Sequence, residues 1–329
     1  MSGFMLENEA LVRLGGFTGV LVLMLAWEAA APRRPAAAGP HARRLTNLAL
    51  VAVDTALLRL LLPAAAVMAA AVAQQRGFGV FNLVQVPAWL AVPASIALLD
   101  GSIWLQHRAM HAYAPLWRLH RVHHSDLAFD VTTGVRFHPL EILLSMAYKV
   151  MVVVVLGAPP VAVVVFEVLL GASALFTHGN VRLPLVADRW LRWLIVTPDM
   201  HRVHHSVRRE ETDCNFGFLL AVWDRLFGTY RAQPADGHAG MDIGLMEFRA
   251  AHEQRLDRLL LQPLRGARPA PGGSGADVVA APRGSAAGTT APRAGATSAG
   301  SAGNVAGVCV QKPPTESVAR HNRPERRPV

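Results

Sequence analysis

The sequence predicts an all-α integral membrane protein, with four or five transmembrane helices and a histidine-rich cap on the cytoplasmic side. Three observations lead to this fold class. Of the 329 residues, 52% are hydrophobic, and the mean hydropathy is positive at +0.29. Five long apolar runs are present, and a helix of about 20 apolar residues crosses a bilayer core. Three clusters of histidines accompany these runs, at the spacing of residues that share one helix face.

Each apolar run predicts one helix. The third run leads directly into the first histidine cluster. Only Gly157-Ala-Pro-Pro160 separates the last two runs, which therefore predict a helical hairpin with a tight turn. The first run lacks a basic segment before it and is followed by arginines, so it predicts a retained anchor rather than a cleaved signal. The runs lie at residues 15–31, 48–73, 84–99, 140–156 and 161–176.

Arginine placement predicts the orientation. Four arginines lie between the first two runs, whereas the N-terminus and residues 74–76 carry little charge. Short loops rich in arginine face the cytoplasm, so this loop is expected inside and the N-terminus outside. Following the spans in order places all three histidine clusters and the C-terminus on the cytoplasmic side of a membrane, which we expect to be a bacterial inner membrane. The four residues are Arg33, Arg34, Arg43 and Arg44.

Composition divides the chain into three regions: N-terminal helices with a cytoplasmic loop at 1–83, a histidine-rich domain at 84–262, and a tail rich in Ala, Gly, Pro and Arg at 263–329. The tail has too few apolar residues to form a core and is predicted to be disordered. From Arg265 onward the tail carries eight arginines and one lysine against three acids, so most of the net charge of +9 lies in the tail. The net charge therefore gives no support for nucleic-acid binding.

The two cysteines, Cys214 and Cys309, form no C-x-x-C pair for redox chemistry or an iron–sulfur cluster.

The histidine clusters predict a metal site. Residues i, i+3 and i+4 of a helix lie on one face, so each cluster presents its rings together. Imidazole suits iron, copper, zinc and nickel, and eight ligands exceed what one ion takes, which predicts two ions. A basic patch on the membrane surface would explain one cluster, but not H-R-V-H-H in two distant places. The clusters are His107-Arg-Ala-Met-His111, His120-Arg-Val-His123-His124 and His201-Arg-Val-His204-His205.

Further residues are candidates for the same site. His178 ends the fifth run and is a candidate ninth ligand, and His138 could be a ligand, the partner of a ligand or a lipid head-group contact. Metal-bound histidines usually donate their other ring N–H to a polar group, so polar residues beside the clusters could fill that role or add a ligand. These polar candidates are Asp126, Glu141, Asn180, Asp199, Asp213 and Asn215.

Two other features keep alternatives open. Glu167 in the fifth run could recognise a polar group of a ligand, or it could pair with Lys149 on the other arm of the hairpin, as charges inside spans usually do. Residues 215–230 mix aromatic residues and leucines with charged ones. They predict either an amphipathic segment that lies on the membrane and closes the site, or ordinary core packing.

Together these motifs resemble the fatty acid hydroxylase/sterol desaturase superfamily, a group of integral-membrane di-iron enzymes. The pattern H-x-x-x-H, H-x-x-H-H and H-x-x-H-H, with a hydrophobic hairpin between the last two, carries the resemblance, which covers residues 84–232. The similarity extends to Val122-His-His-Ser125, Phe137-His-Pro-Leu-Glu141, Thr197-Pro198 and Trp223-Asp-Arg-Leu-Phe-Gly-Thr229.

The resemblance implies that the eight clustered histidines and His178 hold two irons in a cytosolic cap. It also implies an enzyme that uses O2 and two electrons to hydroxylate or desaturate a lipid, namely a fatty acyl chain, a sterol or a related isoprenoid. Ala174 stands where several members carry a second histidine, four residues before His178, so the ligand count stays open. We expect the lipid channel to run between the third, fourth and fifth spans. The sequence shows no haem, flavin or cysteine-ligated module, so we expect an external donor of ferredoxin or cytochrome type with its reductase.

Two other classes fit the histidines less well. A membrane metal-binding or transport protein without oxygenase activity would place polar residues along a path near the bilayer midplane, whereas these clusters lie at helix ends. A bis-histidine haem protein needs one histidine from each of two facing helices and has no use for adjacent His-His pairs.

Overall fold

The computed structural model describes residues 2–35, 40–62 and 65–266, and every regular element in these ranges is a helix. The predicted tail after residue 266 lies outside the described residues. The α-helices are α1 Ser2–Glu7, α2 Glu9–Ala30, α3 Pro40–Leu61, α4 Ala65–Gln75, α5 Val80–Leu83, α6 Ala88–Ala112, α7 Ala114–His124, α8 Pro139–Leu156, α9 Pro160–Thr177, α10 Leu185–Leu191, α11 Pro198–His204, α12 Arg209–Thr212, α13 Val222–Leu226, α14 Gly237–Gly240 and α15 Leu256–Leu261, with 3-10 turns at Val131–Val135, Ala251–Gln254 and Gln262–Leu264.

Five helical segments among the described residues are long and apolar enough to cross a membrane. They agree with the five apolar runs, and the prediction of an all-α protein with four or five spans is confirmed. The second segment contains α3, α4 and α5 and includes residues 63–64, which are not described. The five segments are Glu9–Ala30, His41–Leu83, Ala88–Ala112, Pro139–Leu156 and Pro160–Thr177.

The predicted hairpin forms between α8 and α9. Gly157 ends α8 with a φ of 66°, a left-handed conformation that favours glycine, and Pro160 begins α9, where its missing N–H costs nothing. The loop after α4 packs directly on this turn, because a Cβ atom added to Gly79 would lie 2.2 Å from the backbone nitrogen of Gly157. This contact marks the end of the bundle that lies away from the histidines.

The opposite end carries the cap. The Glu28 carboxylate, near the end of α2, accepts the backbone N–H groups of Val131 and Asn180, each at 2.7 Å. Arg43, in the first turns of α3, donates to Asp126 at 2.8 Å and also bonds Asp130. The first two spans are therefore tied to the cap through buried charged groups. Between the spans, an apolar core joins α4, α6, α8 and α9.

Residues 215–230 form a short loop and α13 that lie against the cap end of α6. Asp100 accepts from the backbone N–H groups of Leu219 and Leu220 and from the indole of Trp223. Phe216 and Phe218 lie against the His107 ring, with centroids 5.5 and 5.1 Å away. This segment therefore packs against the histidines, and its expected position on the membrane stays a prediction. Its outer face is apolar and exposed at Val222, Leu226 and Phe227.

Candidate metal centre and cavity

Nine buried histidines gather into two adjacent groups at the cap end of the spans. Each is at most 5% exposed. Within each group, one ring nitrogen per histidine lies within 4.8 Å of all the others, an arrangement that could hold a metal ion. The five-histidine group contains His107, His111, His120, His124 and His204, and the four-histidine group contains His123, His178, His201 and His205. These nine are the eight clustered histidines of the sequence together with His178.

The helix repeat explains how each H-x-x-H-H motif serves both groups. In α7, His120 and His124 are four residues apart and enter the five-histidine group, while His123 turns to the four-histidine group. In α11 the roles are reversed, because His201 and His205 enter the four-histidine group and His204 enters the other. One motif on each of two short helices thus connects the two groups.

The other contributions come from the ends of the long helices. His107 and His111 occupy the last turns of α6, which continues past the apolar run as expected. His178 is the C-cap residue of α9. Pro198 begins α11, and the Thr197 side chain caps it by accepting from the backbone N–H of Met200. The clusters therefore meet because several helices end or begin at one level.

The ring nitrogens point towards common centres. In the five-histidine group, Nε2 of His107 lies 3.0 Å from Nε2 of both His120 and His204. In the four-histidine group, Nε2 of His178 lies 3.1 Å from Nε2 of each of its three companions. Unprotonated nitrogens at such distances repel one another, and a cation between them removes this repulsion.

Hydrogen bonds at the opposite ring nitrogen select the tautomer. Nδ1 of His107 donates to the carbonyl of Phe216 at 2.7 Å, and Nδ1 of His120 donates to Glu141 at 2.6 Å. A neutral imidazole that donates from Nδ1 has a lone pair on Nε2, the nitrogen that faces the group. The donor set thus fits metal binding. Nδ1 of four further histidines lies within hydrogen-bond distance of an acceptor: Asp213 for His111, the Arg136 carbonyl for His123, the Ala174 carbonyl for His178 and the Cys214 carbonyl for His204.

Burial keeps these rings neutral. Removal from water lowers the pKa of His178 to about 4 and that of His204 to about 3. The same cause lowers the pKa of His123, His124 and His205 well below the ordinary 6.5. These five imidazoles are therefore unprotonated at neutral pH and can coordinate a cation without first losing a proton.

Two of the six polar candidates contact the histidines directly. Glu141 and Asp213 lie within hydrogen-bond distance of His120 and His111, at 2.6 and 3.2 Å. The other four bond elsewhere, and they tie the cap together. Asp126 accepts from Arg43 and Asn47, Asn180 pairs with the backbone of Arg34, Asp199 pairs with Arg33 and Arg202, and the Asn215 amide bonds the backbone of Met200 and Arg231.

His138 stands outside both groups and caps α8. Its Nδ1 accepts the backbone N–H of Leu140 at 3.1 Å, and its Nε2 donates to the carbonyl of Leu260 at 3.1 Å. Sequence reasoning missed Phe137, whose ring stacks on His123 at 4.5 Å between centroids, and it missed the backbone carbonyls that accept from the histidines. The hydrogen bonds of backbone carbonyls cannot be predicted from a local sequence motif, whereas Phe137 could have been singled out as the aromatic residue beside His138.

A cavity of about 390 Å³ leads from the five-histidine group into the spans. Its upper wall includes His107, His120 and Phe137, and its lower wall includes Met146 and Leu58. All five candidate spans contribute to the lining, so the expectation of a channel between only the third, fourth and fifth spans was too narrow. Its size is within the range of sites for small organic ligands.

The chain is similar to known proteins over this region. Residues 92–229, which include all nine histidines, match the fatty acid hydroxylase family. The chain is 30% identical over 161 residues to the ornithine lipid hydroxylase OlsE of Rhizobium tropici, covering 49% of this chain and 47% of that protein. It is 30% identical over 159 residues to human alkylglycerol monooxygenase, covering 47% and 34%. It is 25% identical over 145 residues to rat cholesterol 25-hydroxylase, covering 42% and 46%.

These matches span less than half the length of each of the three relatives. No solved structure matches the chain.

Proposed function

We propose, because residues 92–229 match the fatty acid hydroxylase family, that this chain is a membrane di-iron oxygenase that hydroxylates or desaturates a lipid. One observation carries this proposal: two adjacent all-histidine groups adjoin a cavity that runs into the membrane-spanning helices. The three relatives described above are named as lipid hydroxylases or monooxygenases, which supports lipid oxidation. A fatty acyl chain, a sterol or a related isoprenoid fits the apolar lining.

The nine histidines are the proposed ligands of two irons. Imidazole nitrogens suit iron, and the bound metal would supply the oxidising power for attack on an unactivated C–H bond with O2. The protein contributes geometry. Glu141, Asp213 and the backbone carbonyls hold the histidine rings so that Nε2 faces inward, and such partners fix both tautomer and ring orientation.

The cavity determines which group faces the substrate. His107 and His120 line it, and both belong to the five-histidine group. Phe137 and Phe218 line the same end. We therefore propose that the C–H bond that is oxidised lies beside these two histidines, where the surrounding aromatic rings exclude water.

The membrane orientation and the electron donor extend the proposal. Arg33, Arg43 and Arg44 lie at the cap end, where they pair with Asp199, Asp126 and Asp130. This position supports a cytoplasmic cap, by the same rule that orients the loop, and we propose that the membrane is a bacterial inner membrane. Two electrons per turnover would come from a ferredoxin or cytochrome with its reductase.

Metal content tests the site. We expect about two irons per chain after purification in detergent from iron-replete cells, because five and four ligands suit two separate ions. His204→Ala should remove iron from the five-histidine group, and His123→Ala from the four-histidine group. His252→Ala is a matched control, because that side chain is 65% exposed and lies outside both groups.

Lipid analysis tests the activity. Cells that express the wild-type protein should accumulate a membrane lipid with one added oxygen atom or one added double bond, and both histidine variants should abolish it. A folded protein that binds neither iron nor another transition metal, even after iron reconstitution, would contradict the proposal. Bound metal with no O2-dependent change in any lipid would instead favour a metal-binding or transport protein.

A further inference from the structure

The cavity contains an acidic side chain that no described residue satisfies. Asp54 of α3 lines the cavity and is 5% exposed. Its Oδ1 atom is buried without a hydrogen-bond partner among the described residues. A buried carboxyl group without a donor is costly, because it loses its contacts with water and gains none in exchange. Such an uncompensated group at a cavity wall indicates that a ligand supplies the missing partner.

The other charged residues of the cavity already have partners. Lys149 bonds the Glu167 carboxylate, and Arg13 lies 3.1 Å from the second oxygen of the same carboxylate. The pairing that was expected for Glu167 therefore forms, with Arg13 as a second cation. One oxygen each of Glu167 and Glu141 also lacks a hydrogen bond among the described residues, but Glu167 has two cationic partners and Glu141 bonds His120, whereas Asp54 has neither a hydrogen bond nor an ion pair there. Recognition of a ligand falls to Asp54 rather than to Glu167.

The position of Asp54 sets its distance from the histidines. Asn47, seven residues earlier in α3, bonds Asp126 in the cap. A helix rises about 1.5 Å per residue, so Asp54 lies about 10 Å deeper in the membrane than Asn47. The walls between the two levels are largely apolar and include Val51, Ile103 and Val135. A ligand that reaches from Asp54 to His120 is therefore apolar along most of its length.

We propose that Asp54 binds the hydroxyl or ammonium group of an otherwise apolar lipid and so fixes which carbon of that lipid lies beside the five-histidine group. The inference rests on the proposed function, and it specifies the substrate class. The lipid carries an O–H or N–H donor that an apolar stretch separates from the carbon that is oxidised. Asp54 and Arg13 lie outside residues 92–229, so this specificity comes from the N-terminal spans.

Binding to the intact protein tests the assignment without turnover. Labelled 1-octadecanol would be equilibrated with the protein in phosphatidylcholine nanodiscs, with octadecane and octadecylamine as competitors. We expect octadecanol or octadecylamine to bind at least tenfold more tightly than octadecane. Asp54→Leu should remove this preference, which amounts to a roughly tenfold to hundredfold loss, the cost of leaving a buried donor without its acceptor.

The variants also distinguish the two possible donors. Asp54→Asn keeps a hydrogen-bonding group but cannot become negatively charged, so it should retain octadecanol if the natural donor is a hydroxyl and lose octadecylamine if it is an ammonium. Ser95→Ala is the matched control, because Ser95 is buried in α6 with an unpartnered hydroxyl but does not line the cavity. Asp54→Leu should unfold at a temperature equal to or above that of the wild type, because it removes an uncompensated buried carboxyl.

Equal affinity of Asp54→Leu and the wild type for octadecanol and octadecylamine would overturn the assignment. So would a wild-type protein that binds neither of them more tightly than octadecane. Iron content measured on the same samples separates the two proposals. Loss of the binding preference with two irons present contradicts only the role of Asp54, whereas an absence of iron contradicts the oxygenase itself.

Discussion

His138 shows how a histidine beside a candidate metal site can serve as a helix cap. Its Nδ1 accepts the first backbone N–H of α8, which requires an unprotonated nitrogen at that position. His138→Ala should therefore cost about 1 kcal/mol, the usual value of an N-cap, and leave the metal content unchanged. His138→Asn should retain most of the stability. Thermal unfolding and metal analysis of the two variants check this, and a loss of metal in either would show that His138 is a ligand after all.

The same residue predicts a pH dependence. Burial lowers the pKa of His138 below the ordinary 6.5, so the unfolded chain takes up a proton more readily than the folded protein. The contribution of His138 to stability is therefore present above pH 6.5 and is lost as the pH falls below it. The melting temperature of the wild type should fall more steeply between pH 7.5 and 5.5 than that of His138→Asn, and parallel curves would contradict this.

Glu141 and Asp213 allow the role of the acidic partners to be measured. Glu141 is buried and lies 2.6 Å from His120, whereas the Asp213 side chain is 31% exposed and lies 3.2 Å from His111. Loss of a hydrogen-bond partner of a metal ligand typically costs about 10- to 100-fold in affinity. We expect Glu141→Ala to fall in this range and Asp213→Asn to cost only a few-fold, because water can replace the Asp213 oxygen. Competition with a chelator gives both values, and equal losses would refute the distinction.

The segment at residues 215–230 acts as a unit that orients His107. The carboxylate of Asp224 is fully buried and accepts from four donors, namely the backbone N–H groups of Phe216 and Gly217, the Trp104 indole and the Thr229 hydroxyl. Asp224→Asn places an amide N–H among these donors. We expect a loss of about 2–4 kcal/mol and a lower metal content, because the Phe216 carbonyl that accepts from His107 shifts.

Thermal unfolding and metal analysis test this prediction. Asp236→Asn is the control, because Asp236 pairs with Arg208 in a contact that is largely exposed on both sides, and such pairs contribute little. If Asp224→Asn unfolds at the same temperature as the control and retains its metal, then the segment does not orient the site.

Sequence periodicity predicted the local parts of this structure and missed the distant contacts. Apolar runs and the proline turn predicted the five spans, and the i, i+3, i+4 spacing predicted which histidines share a helix face. It did not predict that His123 and His124 would serve different groups, because that depends on how α7 packs against α11. Contacts such as that of Glu28 with Asn180, 152 residues apart, leave no local pattern.

Composition assigned the first spans to a region of their own at residues 1–83, although they help to build the site of the histidine-rich region. Arg33 of the loop after α2 pairs with Asp199 in α11, and α3 supplies Asp54 to the cavity. Residues 92–229 carry all nine buried histidines, while residues outside this range hold the turns beside them in place. Residues from most of the described chain therefore contribute to the histidine groups and the adjoining cavity.

Glu28 gives this distribution a measurable consequence. Its carboxylate bonds the backbone at Val131 and Asn180, on either side of His178, and Gly134 in the same 3-10 turn lies against His178 and Ala174. These contacts support the four-histidine group and not the other. Glu28→Ala leaves two buried N–H groups without an acceptor, which costs about 1–3 kcal/mol for each.

Because the damage is local, Glu28→Ala should lose iron from the four-histidine group and retain it in the five-histidine group. The iron content should therefore fall to about one per chain. Glu9→Ala is the matched control, since Glu9 lies in the first turn of the same helix and pairs only with Arg13 among the described residues. Iron stoichiometry, combined with the His123→Ala and His204→Ala variants, identifies which ion is lost. Equal loss from both groups would mean that the two ions are held as one cooperative unit, and no loss would mean that α2 merely packs beside the site.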